Sequence, residues 1–328
     1  MRKRSNTKEI VLATLRSHDG FISGESICRE LGVSRTIVWK AVCDLKDDGY
    51  TIEGVTRKGY RLVEETWDIN CEAIDDKLNT KVFGRSLECI KKVDSTNAYV
   101  KRKAEDGAPH GFTVVTDQQT QGRGRKGREW VTHKDGSIAM SFLMRPDIVP
   151  DDASMLTLVG AIAVTDALRK FGVDACIKWP NDVVVDGKKV CGILTELSME
   201  FSKVSYVVMG IGVNVLETKI DGLPDATSIA METGLSLNRN ELVACILNSF
   251  EKYYDAFISA GNLKPMKKEY EKLLVNTGKE VKIVEKDVER IGVAKGIDER
   301  GKLIVDFGGK KEHIYCGEVS VRGLYGYV

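Results

Sequence analysis

The run Gly122-Arg123-Gly124-Arg125-Lys126-Gly127-Arg128 sets four cations, Arg123, Arg125, Lys126 and Arg128, among three glycines. Glycines let the backbone approach an anion and offer bare amides, and arginine guanidinium groups supply paired donors suited to phosphate or carboxylate. Like charges this crowded repel one another until an anion neutralises them. The segment therefore reads as a loop that is disordered when empty and orders over a bound phosphate. The glycines also satisfy the Gly-x-Gly-x-x-Gly pattern of dinucleotide sites, but Arg128-Glu129-Trp130-Val131-Thr132 does not open an apolar helix. A Gly-Lys-Ser/Thr phosphate loop is excluded, because Arg128 follows Gly127. The plain alternative is a solvated basic turn, and the interleaved glycines weigh against it.

A second segment runs from Lys178-Trp179-Pro180-Asn181-Asp182 through Asp186-Gly187 to Lys189 and Gly192. Asp-Gly between valine-rich runs is a strong hairpin signal. The Trp-Pro-Asn-Asp turn gathers polar side chains where a strand begins. Lys189 then emerges from the return strand, where a cation could meet a carboxylate or an α-phosphate. By spacing alone, a surface hairpin with a solvated Lys188-Lys189 pair fits equally well. No Ser-His-Asp or Cys-His constellation offers a protein nucleophile.

The elements that must position these residues are mixed. Helical stretches fall at 95–106, 152–171 and 239–260, and strands at 112–116, 137–143 and 205–215. Short alternating strands with glycine turns follow residue 277 and read as a small β-barrel. The expected fold class is α/β (α+β) multidomain. A winged helix-turn-helix occupies 1–66, a mixed α/β domain 67–274 and a small SH3-like barrel 275–328.

The winged helix rests on an amphipathic helix at 6–17 and two short helices between Gly20 and Gly49. Ser23 caps the first, which Gly32 ends; Ser34 caps the second, with Ile37, Ala41 and Leu45 as its apolar stripe. Arg35, Thr36, Trp39 and Lys40 then lie on the polar face, and Arg57 and Lys58 at the wing tip. These cations suit base edges and phosphates in a major groove. Trp39 is out of place on that face and is expected to pack against the first helix.

Composition narrows the classes. With 49 basic and 48 acidic side chains in 328 residues the net charge is +1, so any nucleic-acid surface must be local. No apolar run of about 20 residues can span a bilayer, and no leader is evident, which points to the cytoplasm. The eight cysteines are scattered without a Cys-x-x-Cys pair, and most of them read as reduced small hydrophobes; neither a zinc site nor a disulfide framework is expected.

Taken together, the motifs resemble the biotin protein ligases, and the N-terminal winged helix resembles the bifunctional ligases that also repress the biotin operon. The matching residues are Asp94-Ser95-Thr96-Asn97, Gln119 with the glycine-arginine loop and Trp130, Lys178 to Asp182, and Lys189-x-x-Gly192-Ile193-Leu194-x-Glu196. Gly210-Ile211-Gly212-Val213-Asn214-Val215 completes the set in the family's order. One departure is Gln121, where the family more often has a small residue.

The resemblance implies ATP-dependent activation of biotin to biotinyl-5′-AMP and transfer to a lysine of a biotin carboxyl carrier protein. It implies that Ser95, Thr96, Asn97, Gln119, Gly192, Gly210 and Gly212 hold biotin, with Arg123, Gly124 and Arg125 closing over its carboxylate. Lys189 and Arg125 are the implied catalytic residues. Arg128, Trp130, Asn181, Asp182 and Asn214 line the nucleotide side, and Asp182 is the candidate contact for Mg²⁺ carried mostly by ATP. The implied partners are the carrier protein, operator DNA and a second copy of the chain, paired when biotinyl-5′-AMP is bound. A non-catalytic biotin-sensing transcription factor and a lipoate-type ligase are the alternatives.

Overall fold

The computed structural model describes the chain except residues 1–6, 9, 13, 16, 17, 19, 48, 49, 57, 65–68, 133–135, 221, 286, 287, 317–319 and 324–326. It divides into two compact units, residues 1–70 and 71–328.

In the first unit, α1 spans Gly24–Leu31 and α2 Arg35–Asp47, followed by the antiparallel strands β1 (Thr51–Val55) and β2 (Gly59–Glu64). The Ser23 hydroxyl accepts from the Ser26 amide at 3.0 Å, and Gly32 ends α1 in the left-handed region at φ 63°. The apolar stripe of α2 differs from expectation. Val38, Ala41, Val42 and Leu45, at i, i+3, i+4 and i+7, enter the core with Val11, Leu15 and Ile27, while Ile37 is 46% exposed. The stripe is thus one residue out of phase at its start. Trp39, expected against the first helix, is instead 59% exposed. Gly59 (φ 101°) lies so close to the Ile22 carbonyl that a Cβ there would collide with backbone, and this lets Ile22 and Tyr60 exchange hydrogen bonds of 2.8 Å. Arg57 and Gly49 lie outside the described residues.

The second unit is built on a seven-stranded sheet of β3 (Leu87–Val93), β4 (Thr113–Gln119), β5 (Ser137–Met144), β6 (Cys176–Lys178), β7 (Asp182–Val185), β8 (Lys188–Glu200) and β9 (Lys203–Asn214). The order is β3-β4-β5-β9-β8-β7-β6, with β3 and β4 parallel and the other pairs antiparallel. Alternation sorts the two faces. Met209 and Ile193 point at α5 (Ala153–Lys170), where Gly160 permits an approach so close that an added Cβ would lie 2.7 Å from the Met209 sulfur. The opposite face carries α4 (Thr96–Glu105), whose Val100 and Ala104 pack on Val114, Leu143 and Val208. Gly210, Gly212, Gly192 and Leu194 follow Val208 on this second face, in cross-strand register.

Ahead of the edge strand β3, α3 (Cys71–Asp75) is joined to the sheet by a Cys71–Cys89 disulfide, with Cα atoms 5.6 Å apart. This pair is the exception to the reading of most cysteines as reduced; the other six are free thiols. The pair is 18 residues apart in sequence and carries no spacing signature; only the packing of α3 beside β3 brings it together. Further on, α6 (Ile229–Thr233), α7 (Arg239–Ala260) and α8 (Lys267–Leu273) lead to five antiparallel strands. These are β10 (Glu280–Glu285), β11 (Val288–Ile297), β12 (Leu303–Phe307), β13 (Lys310–Ile314) and β14 (Ser320–Gly323), ordered β13-β12-β11-β10-β14. These five strands make the small all-β C-terminal domain that was expected; among the described residues β13 and β14 carry no ladder between them.

Candidate active site

The N-terminus of α4 sets one wall. Asp94 accepts both Nη atoms of Arg102 at 2.8 and 2.9 Å and the Ser95 amide at 2.8 Å. The Arg102 guanidinium holds its carboxyl down at about 2. Thr96 donates from its amide (2.8 Å) and hydroxyl (3.1 Å) to Gln119 Oε1, and Gln119 Nε2 donates to Thr132 at 3.2 Å. Asn97 Oδ1 accepts from Ser141 at 2.6 Å, and its Nδ2 donates to Glu196 at 2.7 Å. The side chains of Thr96, Asn97 and Gln119 are each oriented by a neighbour, as a site reading a polar ring system requires.

Glycines make the floor. A Cβ on Gly210 would strike the Asn97 amide, and one on Gly212 would enter the indole of Trp130. Gly192 pairs with Gly212 across β8 and β9, and its own Cβ would sit 2.9 Å from the same ring. Trp130 Nε1 is buried without an acceptor among the described residues.

The glycine-arginine loop folds as a hairpin over this floor. Gly124 donates to the Arg128 carbonyl at 2.7 Å and Trp130 to Gly122 at 3.0 Å. The turn needs positive φ at Lys126 (57°) and Gly127 (72°). Arg125 points inward: Nη1 donates to Asn181 Oδ1 and Nη2 to the Cys316 carbonyl, both at 2.7 Å. Burial pushes its guanidinium pKa down. Arg123 and Arg128 are exposed at the loop edges.

Asp186 (φ 48°) and Gly187 (φ 74°) form the expected β7–β8 turn, and β8 returns Lys189 to the cleft. The Lys189 ammonium lies 2.6 Å from Asp182 Oδ1 and 5.6 Å from the Trp130 ring. Asn181 Nδ2 donates to Asp182 at 3.2 Å, so Arg125, Asn181, Asp182 and Lys189 form one connected chain. Asn214 Nδ2 donates to the Thr227 carbonyl at 3.0 Å at the far end.

One crevice gathers Ser95, Thr96, Asn97, Gln119, Arg123, Gly124, Arg125, Trp130, Asn181, Lys189, Gly192, Gly210 and Gly212. An adjoining one adds Arg128, Asp182 and Asn214, with Lys178 and Tyr327. All the residues expected at the site thus converge on two contiguous crevices. Sequence reasoning missed Ser141, Glu196 as a partner of Asn97, the Cys316 carbonyl and Tyr327. Ser141 was accessible to the period-2 rule, since it pairs with Gly210; the other contacts depend on chain segments distant in sequence. As for metal, no three His, Cys, Asp or Glu side chains cluster among the described residues.

In the N-terminal unit, Thr36 and Lys40 are exposed on α2, as expected. Arg35 is held by Glu25 of α1 at 2.9 Å, a pairing the sequence reading did not include. Lys58 lies 5.8 Å from the Phe21 ring. No described helix is long and apolar enough to cross a membrane.

Three family models match: an HTH domain over residues 8–61, the Biotin/lipoate A/B protein ligase family over 89–214, and the Biotin protein ligase C terminal domain over 277–322. The bifunctional ligase/repressor BirA of Bacillus spizizenii is 35% identical over 320 residues, covering 96% of this chain and 98% of that protein. Its counterpart in Escherichia coli is 30% identical over 322 residues, 97% of this chain and 98% of that one. Among solved structures, the biotin protein ligase from Aquifex aeolicus in complex with biotin and ATP superposes with a TM-score of 0.64 at 31% identity. It covers 73% of this chain and 99% of its own. The chain belongs to the biotin protein ligase family, in its bifunctional ligase/repressor form.

Proposed function

We propose that the crevice floored by Gly210 and Gly212 takes biotin and that the adjoining one takes ATP, with Lys189 at their junction. The single observation that carries this reading is that junction. Lys189, Arg125 and Trp130 line both crevices, so one cation faces the end of one ligand and the start of the next. The polar wall of Ser95, Thr96, Asn97 and Gln119 holds the ureido ring of biotin. Its carboxylate then points at the loop.

Two anions must meet in line, and their mutual repulsion is the main barrier. The biotin carboxylate oxygen attacks the α-phosphorus of ATP, the bond to pyrophosphate breaks, and biotinyl-5′-AMP remains. Lys189 exchanges Asp182 for the two reacting anions and lowers that barrier. Arg125 closes over the mixed anhydride and excludes water. Trp130 offers an aromatic face, and Arg128, Asn181, Asp182 and Asn214 line the nucleotide. Asp182 is the side chain that would meet magnesium carried mostly by ATP, which when bound would offset the charge of the departing pyrophosphate. An amine of the carrier lysine then attacks the acyl carbon, AMP leaves and the amine loses its proton.

The adenylate also orders loops of this unit, two copies pair, and paired winged helices read two operator half-sites through Arg35, Thr36, Lys40, Arg57 and Lys58. Two-fold pairing doubles the few base contacts one winged helix can make. Isotope exchange between ATP and pyrophosphate that requires biotin tests the first half-reaction. Exchange driven by lipoate instead, or none at all, would favour the lipoate-type or the non-catalytic reading.

A further inference from the structure

Tyr327 lies 138 residues beyond Lys189 in sequence yet stands on the same carboxylate. Its hydroxyl donates to Asp182 Oδ2, while Lys189 holds Oδ1 at 2.6 Å. Its ring lies 3.1 Å from the ammonium of Lys178, a side chain only 5% exposed. The next residue, Val328, sits against the β7–β8 turn, where a Cβ on Gly187 would come 3.2 Å from it. One aromatic side chain therefore touches the lysine that opens the Trp-Pro-Asn-Asp turn and the aspartate that holds the reactive lysine.

Resting on the reading above, we propose that Tyr327 is a positioning residue for adenylate formation, acting on Lys189 through Asp182. A carboxylate that accepts a second hydrogen bond on its other oxygen is a weaker partner for a cation. With Tyr327 on Oδ2, Asp182 orients Lys189 without trapping it, and the ammonium can pass to the biotin carboxylate and α-phosphate. The ring screens Lys178 by a cation–π contact, which keeps that second ammonium from competing for Asp182.

The test is full-length Tyr327→Phe, which keeps the ring over Lys178 and removes only the donor, beside Tyr327→Ala. Biotin-dependent ATP–pyrophosphate exchange is measured with site concentration fixed by biotin titration and folding checked by thermal melting. Tyr327→Phe is expected to lower kcat roughly tenfold, the scale of one hydrogen bond to a charged group, with both KM values within about twofold. A Tyr327→Phe rate within about twofold of wild type, with loss only in Tyr327→Ala, would reduce Tyr327 to packing and overturn the proposal. A raised KM for ATP at unchanged kcat would overturn it too, because the phenol would then contact the nucleotide itself. Absence of exchange in the wild-type chain would sink the underlying function instead, which keeps the two failures apart.

Discussion

The indole of Trp130 lies on Gly212, in the volume a Cβ would fill, with its edge against Gly192 of the neighbouring strand. Two glycines paired across β8 and β9 thus give an aromatic ring direct access to the sheet backbone where the two crevices meet.

Gly212→Ala should therefore displace Trp130 rather than unfold the sheet. Overpacking of this kind costs about 1 to 3 kcal/mol, so biotin and ATP affinities should weaken roughly tenfold or more. Calorimetric titration with biotin, then with ATP, measures the loss. Unchanged affinities would show that the ring does not depend on that gap.

Arg125 reaches Asn181 and the Cys316 carbonyl from a hairpin whose other arginines are exposed. Replacing it by alanine should leave adenylate formation measurable but shorten retention of the adenylate about tenfold, since the water-excluding lid is lost. Single-turnover synthesis followed by filtration gives the retention time. Retention equal to wild type would deny the loop its lid function.

The loop shows what the sequence could and could not reveal. Its glycines and cations read as an anion site from composition alone, whereas the common face of Gly192, Gly210 and Gly212 needed the β8–β9 register. The expected disorder was an argument from repulsion; the hydrogen bonds from Gly124 to Arg128 and from Trp130 to Gly122 are what define the hairpin once the loop is ordered. Strands β13 and β3 went unread because Lys310-Lys311-Glu312-His313 and Lys91-Lys92 carry charge where alternation should show apolar residues. Tyr327 had no local signal at all; its role comes from the return of a distant segment onto Asp182. On α2, one residue of helical phase moved Ile37 out of the core and Val38 into it.

Asp94 supplies a pH test. Its carboxyl is held at about 2 by Arg102, below the ordinary value of about 3.9 in an unfolded chain. A depressed pKa contributes stability that is complete above the unfolded value and is lost as pH falls through the folded one. The pair is partly exposed, Asp94 by 38% and Arg102 by 53%, so screening limits the contribution to about 1 kcal/mol or less. Asp94→Asn should thus be less stable than wild type at pH 7 by up to that amount, with the gap closing below about pH 3. Denaturant unfolding at both pH values checks it.

On the N-terminal unit, Glu25 neutralises Arg35 at 2.9 Å. Glu25→Gln should free the guanidinium for a phosphate, tightening non-specific duplex binding and steepening the plot of log K against log salt by about one unit. Fluorescence anisotropy across a salt series reads both. An unchanged slope would place Arg35 away from the DNA backbone.

The most direct test is to incubate the chain with biotin, magnesium-ATP and a biotin carboxyl carrier domain, then record the intact mass of the carrier. A gain of one biotinyl group, dependent on ATP and abolished by Lys189→Ala, is the predicted result. A carrier of unchanged mass beside a folded, biotin-binding wild-type chain would contradict the account.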